Sequence, residues 1–272
     1  MPRDLTNKAI LITGASSGIG RATALACAEA GMRVSLIARR GDKLQKLAAE
    51  VAAMGHKAHF FSADVRNEDD MKQAFGDCWS ALGRLDAVFA NAGYGQIVNA
   101  LKMSEIDERA MFETNYFGTT RTLRMALPLM RQTQDGLNHM LICSSAASEI
   151  GLPTLGVYSA TKAAQDSIAG AIRAELHDEG FNVTSVHPIG TKTDFMRVAG
   201  EEQNNNTPGM LQQTPEKVAR LIVEAMRRPR PELWPSRMTR VGLALGTLSP
   251  RFASWAMRRH YRKLKAEYGS KI

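Results

Sequence analysis

Tyr158 and Lys162 stand four positions apart in the stretch Tyr158-Ser159-Ala160-Thr161-Lys162, which has helical patterning. On a helix that spacing puts both side chains on one face, with Cβ atoms about 5–6 Å apart. A free phenol titrates near ~10 and is a weak base at neutral pH. A neighbouring ammonium favours the phenolate, and a lowering of about three units takes roughly 4 kcal/mol of differential stabilisation. Such a tyrosine can hand a proton to a forming alkoxide or take one from an alcohol. Ser145 follows an apolar run and precedes Tyr158 by thirteen positions. Its hydroxyl is a candidate donor to a substrate oxygen that gains charge. Asn115 lies inside a long helical stretch, where asparagine is a poor fit because its side chain competes for backbone hydrogen bonds. A local distortion that holds a water is the functional reading.

A second set of residues suits a phosphate. Gly14-Ala15-Ser16-Ser17-Gly18-Ile19-Gly20 stands between an apolar run and a helical stretch. Glycines there allow a tight turn and close approach to a pyrophosphate, and the helix start offers free N–H groups. The second apolar run ends at Ala38-Arg39-Arg40, with no acid for a ribose hydroxyl. Arginine suits a 2′-phosphate, so NADP(H) is favoured over NAD(H), with Arg39 as the forked donor. Asp64-Val65 and Asn91-Ala92-Gly93 follow the third and fourth runs. Asp64 suits an adenine amino group, and the small residues after Asn91 admit a cofactor.

The elements that position these residues alternate. Strand-like runs at Lys8–Thr13, Arg33–Ala38, Ala58–Ser62, Ala87–Ala90, Met140–Cys143 and Asn182–His187 are separated by helical patterns. These are Arg21–Ala30, Asp42–Met54, Asp69–Leu82, Ile106–Met130 and Val157–Asp178, with Pro215–Arg227 after the last run. Alternation of this kind implies an α/β fold, a single doubly wound parallel sheet with helices on both faces. The glycine turn, Arg39, Asp64 and Asn91 then fall at carboxyl ends of strands, where such sheets bind ligands. Residues 190–214 are polar and read as a long loop. Two regions are expected: residues 1–235 as the binding and catalytic domain, and 236–272 as a helical, basic, amphipathic C-terminal extension.

Composition narrows the classes. The net charge is +8, yet nine basic residues and one acid lie from Ser236 onward, leaving a neutral body. Nucleic acid is therefore not expected as a partner. The three cysteines, Cys27, Cys78 and Cys143, are odd in number and far apart, which suits a reducing, cytoplasmic setting. No Gly-x-Ser-x-Gly elbow is present, which disfavours a serine hydrolase. The six histidines have no ligand spacing, so no metal is expected.

Taken in order, Gly14-x-x-x-Gly18-Ile19-Gly20, Asn91-Ala92-Gly93, Asn115, Ser145 and Tyr158-x-x-x-Lys162 closely resemble the short-chain dehydrogenase/reductase family, from about Lys8 to Met196. The resemblance implies a Rossmann-type sheet and hydride transfer between a nicotinamide cofactor and a carbonyl or secondary alcohol. It implies Tyr158 as acid/base, Lys162 on the nicotinamide ribose and on the tyrosine's pKa, Ser145 on the substrate oxygen, and Asn115 on a water that links Lys162 to a proton relay. It also implies a homodimer or homotetramer, packed through the helices carrying Asn115 and Tyr158. Pro188, Thr191 and Thr193 are the cofactor candidates after the sixth strand. Ile189 stands where the family carries glycine, so this loop is expected to run differently.

The expected substrate pocket is framed by Tyr94, Ile150, Leu152 and Leu155, whose apolar side chains favour a hydrophobic substrate. In the extension, Val241, Leu245 and Leu248 recur at helical spacing, and Phe252 and Trp255 follow a break at Pro250. With the basic residues beyond, this segment packs on the body or a partner subunit, or makes peripheral membrane contact. Two other readings are kept: a cofactor-binding regulatory protein on the same fold, which loss of Tyr158 or Lys162 would have favoured, and a membrane-peripheral, lipid- or steroid-active dehydrogenase.

Overall fold

In a computed structural model, which describes residues 1–190 and 213–268, the apolar runs become strands of one sheet. They are β1 (Ala9–Thr13), β2 (Arg33–Ala38), β3 (Ala58–Ser62), β4 (Ala87–Ala90), β5 (His139–Cys143), β6 (Asn182–Val186) and a short β7 (Glu232–Leu233). All neighbours pair in parallel, in the order β3-β2-β1-β4-β5-β6-β7. The direction of winding reverses between β1 and β4, and the crevice outside their carboxyl ends is where open sheets of this type take ligands.

Both faces of the sheet are covered, which is why its strands read as continuous apolar runs. Ile10 and Ile12 of β1 face one layer, built from α1 (Gly18–Glu29), α2 (Gly41–Ala53) and α7 (Pro215–Arg227). Ala9 and Leu11 face the other, built from α3 (Glu68–Leu82), α5 (Gly118–Gln132) and α6 (Gly156–Glu175). Each fully buried Leu, Ile or Phe in these layers contributes about 1.5–3 kcal/mol by leaving water. Capping fixes the helix starts. Asn67 accepts from Asp69 N and Asp70 N ahead of α3, and Thr214 accepts from Lys217 N ahead of α7, whose first turn opens on Pro215.

The stretch expected to be one helix over Ile106–Met130 is interrupted. α4 (Glu105–Phe112) runs into a π turn, Glu113–Phe117, before α5 begins. The extension forms α8 (Arg237–Leu248) and α9 (Pro250–Tyr268), with the break at Ser249. Among the described residues no helix is long and apolar enough to cross a membrane.

Candidate active site

The glycine turn packs directly on the end of β4. Gly14 has φ +66°, and a Cβ there would lie 2.8 Å from Ala92 Cα; one on Gly20 would lie 2.6 Å from the Gly14 carbonyl. Only glycine lets the two strand ends come this close. Asn91 holds the junction, donating from Nδ2 to Thr13 O at 3.0 Å, while Thr13 Oγ1 accepts from Asn91 N at 3.1 Å. At the start of α1, the capping position Ser17 makes no side-chain cap bond, and the first turn carries no acid. The free N–H groups and the helix dipole favour an anion there.

Of the two arginines after β2, it is Arg40 that reaches this turn. Its guanidinium donates to Ser16 Oγ from Nε (3.1 Å) and Nη2 (2.8 Å), and to Ser17 Oγ at 2.8 Å. Arg39, expected to be the forked donor, is exposed. Asp64 is engaged by a forked pair with Arg66, at 2.7 Å to Nη2 and 3.0 Å to Nε. Those hydrogen bonds hold its carboxyl below the usual range although burial opposes them. Val65 is buried, and its carbonyl accepts from Arg121 at 2.5 Å.

The π turn explains Asn115. One extra residue in the turn swings this side chain inward, where it is fully buried. Its Oδ1 accepts from Tyr94 N at 2.9 Å, and Nδ2 donates to Tyr94 O (2.9 Å) and Thr161 Oγ1 (3.0 Å). The expected distortion is present, and the side chain has both amide protons committed. It clamps the chain after Gly93 onto α6.

Tyr158 and Lys162 share one face of α6, with Lys162 Nζ 5.5 Å from the centre of the Tyr158 ring. Lys162 is buried and donates to the Cys143 carbonyl at 2.8 Å, at the end of β5. Ser145, two residues further, hydrogen-bonds Tyr158 and accepts from Ala147 N at 3.1 Å. The structure thus brings Ser145, Tyr158, Lys162 and Gly93 together, since a Cβ on Gly93 would lie 3.4 Å from Lys162 Nζ. The electrostatics differ from the expectation of a lowered phenol. Burial pushes Tyr158 up, and the Ser145 hydrogen bond only partly offsets it. Burial also pushes Lys162 down, opposed by its neighbours Cys143 and Asp166. Both groups are held toward their uncharged forms.

Two loops beside the site are stitched together. Val98 N donates to Thr154 O at 2.9 Å, and Thr154 is buried in a left-handed conformation, φ +68°. Ile150, Leu152 and Leu155 are partly exposed beside it, and Leu152 N donates to Ser159 Oγ at 3.2 Å. Burial raises the pKa of the Tyr94 phenol, which also feels Arg66, Asp107 and Arg39. After β6, Pro188 accepts from Ala146 N at 3.1 Å. The positive φ falls on Gly190, +28°, one residue beyond Ile189. Ile189 N donates to Gln213 Oε1 at 3.3 Å. Thr191, Thr193 and most of the polar loop lie outside the described residues.

A polar layer behind Ser145 has no signal in any sequence motif except position. Ser144 Oγ donates to Asp166 Oδ2 at 2.8 Å, and Asp166 is four residues after Lys162 on the same helix face. His187 is buried, stacks on Trp234 at 4.1 Å and lies 3.7 Å from Asp166 Oδ2 and 3.3 Å from the Ser145 carbonyl through Nδ1. Glu149, Asp166 and His187 bring one potential ligand atom each to within 4.8 Å of one another. Ser144 satisfies Asp166 Oδ2, while Asp166 Oδ1 and His187 Nε2 are buried without a hydrogen-bond partner and Glu149 is exposed.

The sequence profile of the family described as short chain dehydrogenase matches residues 8–204, well over half of the chain. The chain belongs to the short-chain dehydrogenase family. As an oxidoreductase of that family it has curated relatives of similar length. An uncharacterised oxidoreductase of Listeria monocytogenes is 33% identical over 233 residues, covering 83% of this chain and 92% of the relative. The dehydrogenase/reductase SDR family member 7B of Xenopus tropicalis is 31% identical over 260 residues, covering 90% of this chain and 83% of the relative. Among solved short-chain dehydrogenase folds, an alcohol dehydrogenase of the archaeon Thermococcus sibiricus, complexed with 5-hydroxy-NADP, superposes with a TM-score of 0.74 at 28% identity, covering 84% of this chain and 94% of its own. A short chain dehydrogenase/reductase of Burkholderia phymatum superposes at 0.79 with 23% identity over 92% of this chain and 96% of its own, a likeness of fold.

Proposed function

We propose that this short-chain dehydrogenase reduces hydrophobic ketones or aldehydes, or oxidises the matching alcohols, with NADP(H) preferred over NAD(H). The observation that carries this reading is the cluster of Ser145, Tyr158 and Lys162 beside the glycine turn, in one crevice at the strands' carboxyl ends.

The residues present fit a dinucleotide. The space that Cβ atoms on Gly14 and Gly20 would occupy and the uncapped start of α1 suit a pyrophosphate. Arg40, drawn over Ser16 and Ser17, suits a 2′-phosphate on the adenosine ribose, with Arg39 as a second positive charge nearby. The relative from Thermococcus sibiricus was solved with an NADP analogue and the one from Burkholderia phymatum with NAD, so the preference rests on Arg40. A bound nicotinamide cofactor supplies or accepts the hydride.

The protein's own residues manage the oxygen and its proton. Ser145 donates to the substrate carbonyl oxygen as it gains charge. Tyr158, kept protonated by burial, passes its proton to that oxygen during reduction and receives it back from the alcohol in the reverse direction. Lys162, fixed by Cys143, lies where it can hold a ribose hydroxyl and stabilise the phenolate left behind. Ile150, Leu152 and Leu155 exclude water from one side of the mouth. A homodimer or homotetramer packed through α5 and α6 belongs to the same reading, and the exposed Phe117 on the π turn offers it an apolar contact.

A panel of hydrophobic and polar carbonyls and alcohols, run with each cofactor and followed at the nicotinamide absorbance, tests the proposal. Turnover with NADPH on apolar ketones is expected. An NADH preference would remove the role given to Arg40. Tight NADPH binding with no turnover across the panel would favour a cofactor-sensing regulatory protein.

A further inference from the structure

α8 and α9 carry an apolar face turned outward. Met238, Val241, Leu245 and Leu248 succeed one another by three, four and three positions, the spacing of a single helix stripe. They are 74%, 59%, 57% and 82% exposed. At the start of α9, Phe252 and Trp255 stack on each other at 5.8 Å and remain about half exposed. An apolar helix stripe ordinarily faces the core, because exposed apolar area costs free energy in water.

The two helices are tied to the body on their other side. Ser236 caps α8 by accepting from Thr239 N, and Arg240 pairs with Glu232 of β7 at 3.2 Å. α8 packs against the turn Ala146–Glu149, which directly follows Ser145. Tyr261 of α9 donates to Asn99 Oδ1 at 3.3 Å. The stripe is therefore presented from a fixed platform.

Charge selects the occupant. Arg258, Arg259 and Arg262 line a recess beside Trp255, and the Arg259 guanidinium lies 5.9 Å from that ring. Arg251, Lys263 and Lys265 extend the same sign along α9. A second copy seated on this face would bring two such basic surfaces together, which is unfavourable. An anionic bilayer offers an apolar layer and opposite charge at once.

We propose that α8 and α9 dock the protein on an anionic lipid bilayer. The stripe from Met238 to Leu248, with Phe252 and Trp255, enters the boundary between headgroups and acyl chains. The Arg258–Arg259–Arg262 recess takes lipid phosphates. Docking then sets the turn after Ser145 close to the membrane surface.

Flotation of the full chain with vesicles of phosphatidylcholine alone, and of phosphatidylcholine with phosphatidylserine, tests this. Partition onto the anionic vesicles is expected to be at least about tenfold stronger and to weaken with added salt. The double substitution Leu245→Glu with Leu248→Glu, and the triple substitution Arg258→Ser, Arg259→Ser and Arg262→Ser, should each reduce it by about tenfold or more. Circular dichroism and the thermal midpoint confirm that both variants fold. Binding that is absent, equal on the two vesicles or unchanged in both variants overturns the proposal. So does a wild-type dimer that floats with neither vesicle and dissociates in the Leu245/Leu248 variant, which would assign the face to a second copy. Vesicle binding needs neither cofactor nor carbonyl, so these outcomes stand whether or not the chemistry proposed above does.

Discussion

Lys162 donates to the Cys143 carbonyl at 2.8 Å, so the ammonium is fixed by the end of β5 rather than left to find Tyr158. Burial then pushes the tyrosine up and the lysine down. A protonated Tyr158 is ready to act as an acid toward a carbonyl oxygen, and acting as a base requires deprotonation from above its ordinary value.

Tyr158→Phe is expected to lower kcat by about a hundredfold to ten-thousandfold, the range for losing a general acid. Binding of NADPH, followed by its fluorescence, should remain within a few-fold of wild type. Because the phenol is raised and Lys162 is lowered, a fall in kcat/KM for reduction with rising pH should report the lysine's proton before the tyrosine's. Retained turnover in the phenylalanine variant would remove Tyr158 from the chemistry.

Arg40→Ala should raise the KM for NADPH by roughly ten- to a hundredfold, matching the loss of charged hydrogen bonds of about 1.5–3 kcal/mol. The KM for NADH should change little. Arg39→Ala should have the smaller effect, since only Arg40 is held on Ser16 and Ser17. Steady-state kinetics with both cofactors decide between the two arginines.

Asn115→Leu removes the partner of Tyr94 N, Tyr94 O and Thr161 at one stroke. The cost should be about 3 kcal/mol in denaturant unfolding, from buried groups left without partners. A change below about 0.5 kcal/mol would show that the clamp is not structural.

Asp86 is fully buried at the opposite end of the sheet, where it accepts from Ala9 N at 2.7 Å and from Arg84 at 2.6 Å. Asp86→Ala should destabilise by about 3 kcal/mol, the usual result of breaking a buried pair. Turnover per folded molecule should be unchanged, because the substitution is remote from the crevice.

His139, buried in β5, has its pKa pushed down to about 3 by burial. A depressed folded-state value means the unfolded chain binds the proton first. The stabilisation is complete above the unfolded value near 6.5 and is lost as pH falls toward about 3, at up to about 1.4 kcal/mol per pH unit. Urea unfolding across that window should show a shallower slope for His139→Gln than for wild type, by up to one proton.

Much of the site was legible in the chain because strand ends are legible. Gly14, Asn91, Ser145 and Tyr158 each sit just past an apolar run or at a helix start, and the parallel sheet gathers those points. Side-chain direction was not legible. Nothing in Ala38-Arg39-Arg40 says which guanidinium folds back on the glycine turn; the twist leaving β2 decides it. The forked pair between Asp64 and Arg66 has no motif in the sequence that announces it. Ile189 stands where the family carries glycine, and the positive φ falls on the next residue, Gly190. The layer of Ser144, Asp166, His187 and Trp234 joins four separate segments, so no local pattern announces it. The short β7 lacks the length that makes a strand recognisable.

The π turn at Glu113–Phe117 also makes the chain sensitive to its own length at that point. An α-helix turns about 100° per residue. Deleting one residue between Phe112 and Gly118 would let α4 and α5 fuse into an uninterrupted helix and rotate one against the other by about that angle. Either Met111 would leave the core on one side, or Leu123 and Ala126 on the other. A substitution in this turn alters the contacts of one side chain, whereas a one-codon loss misplaces a whole helix. In descendants of this sequence, insertions and deletions should accumulate in the surface loops and spare these five positions.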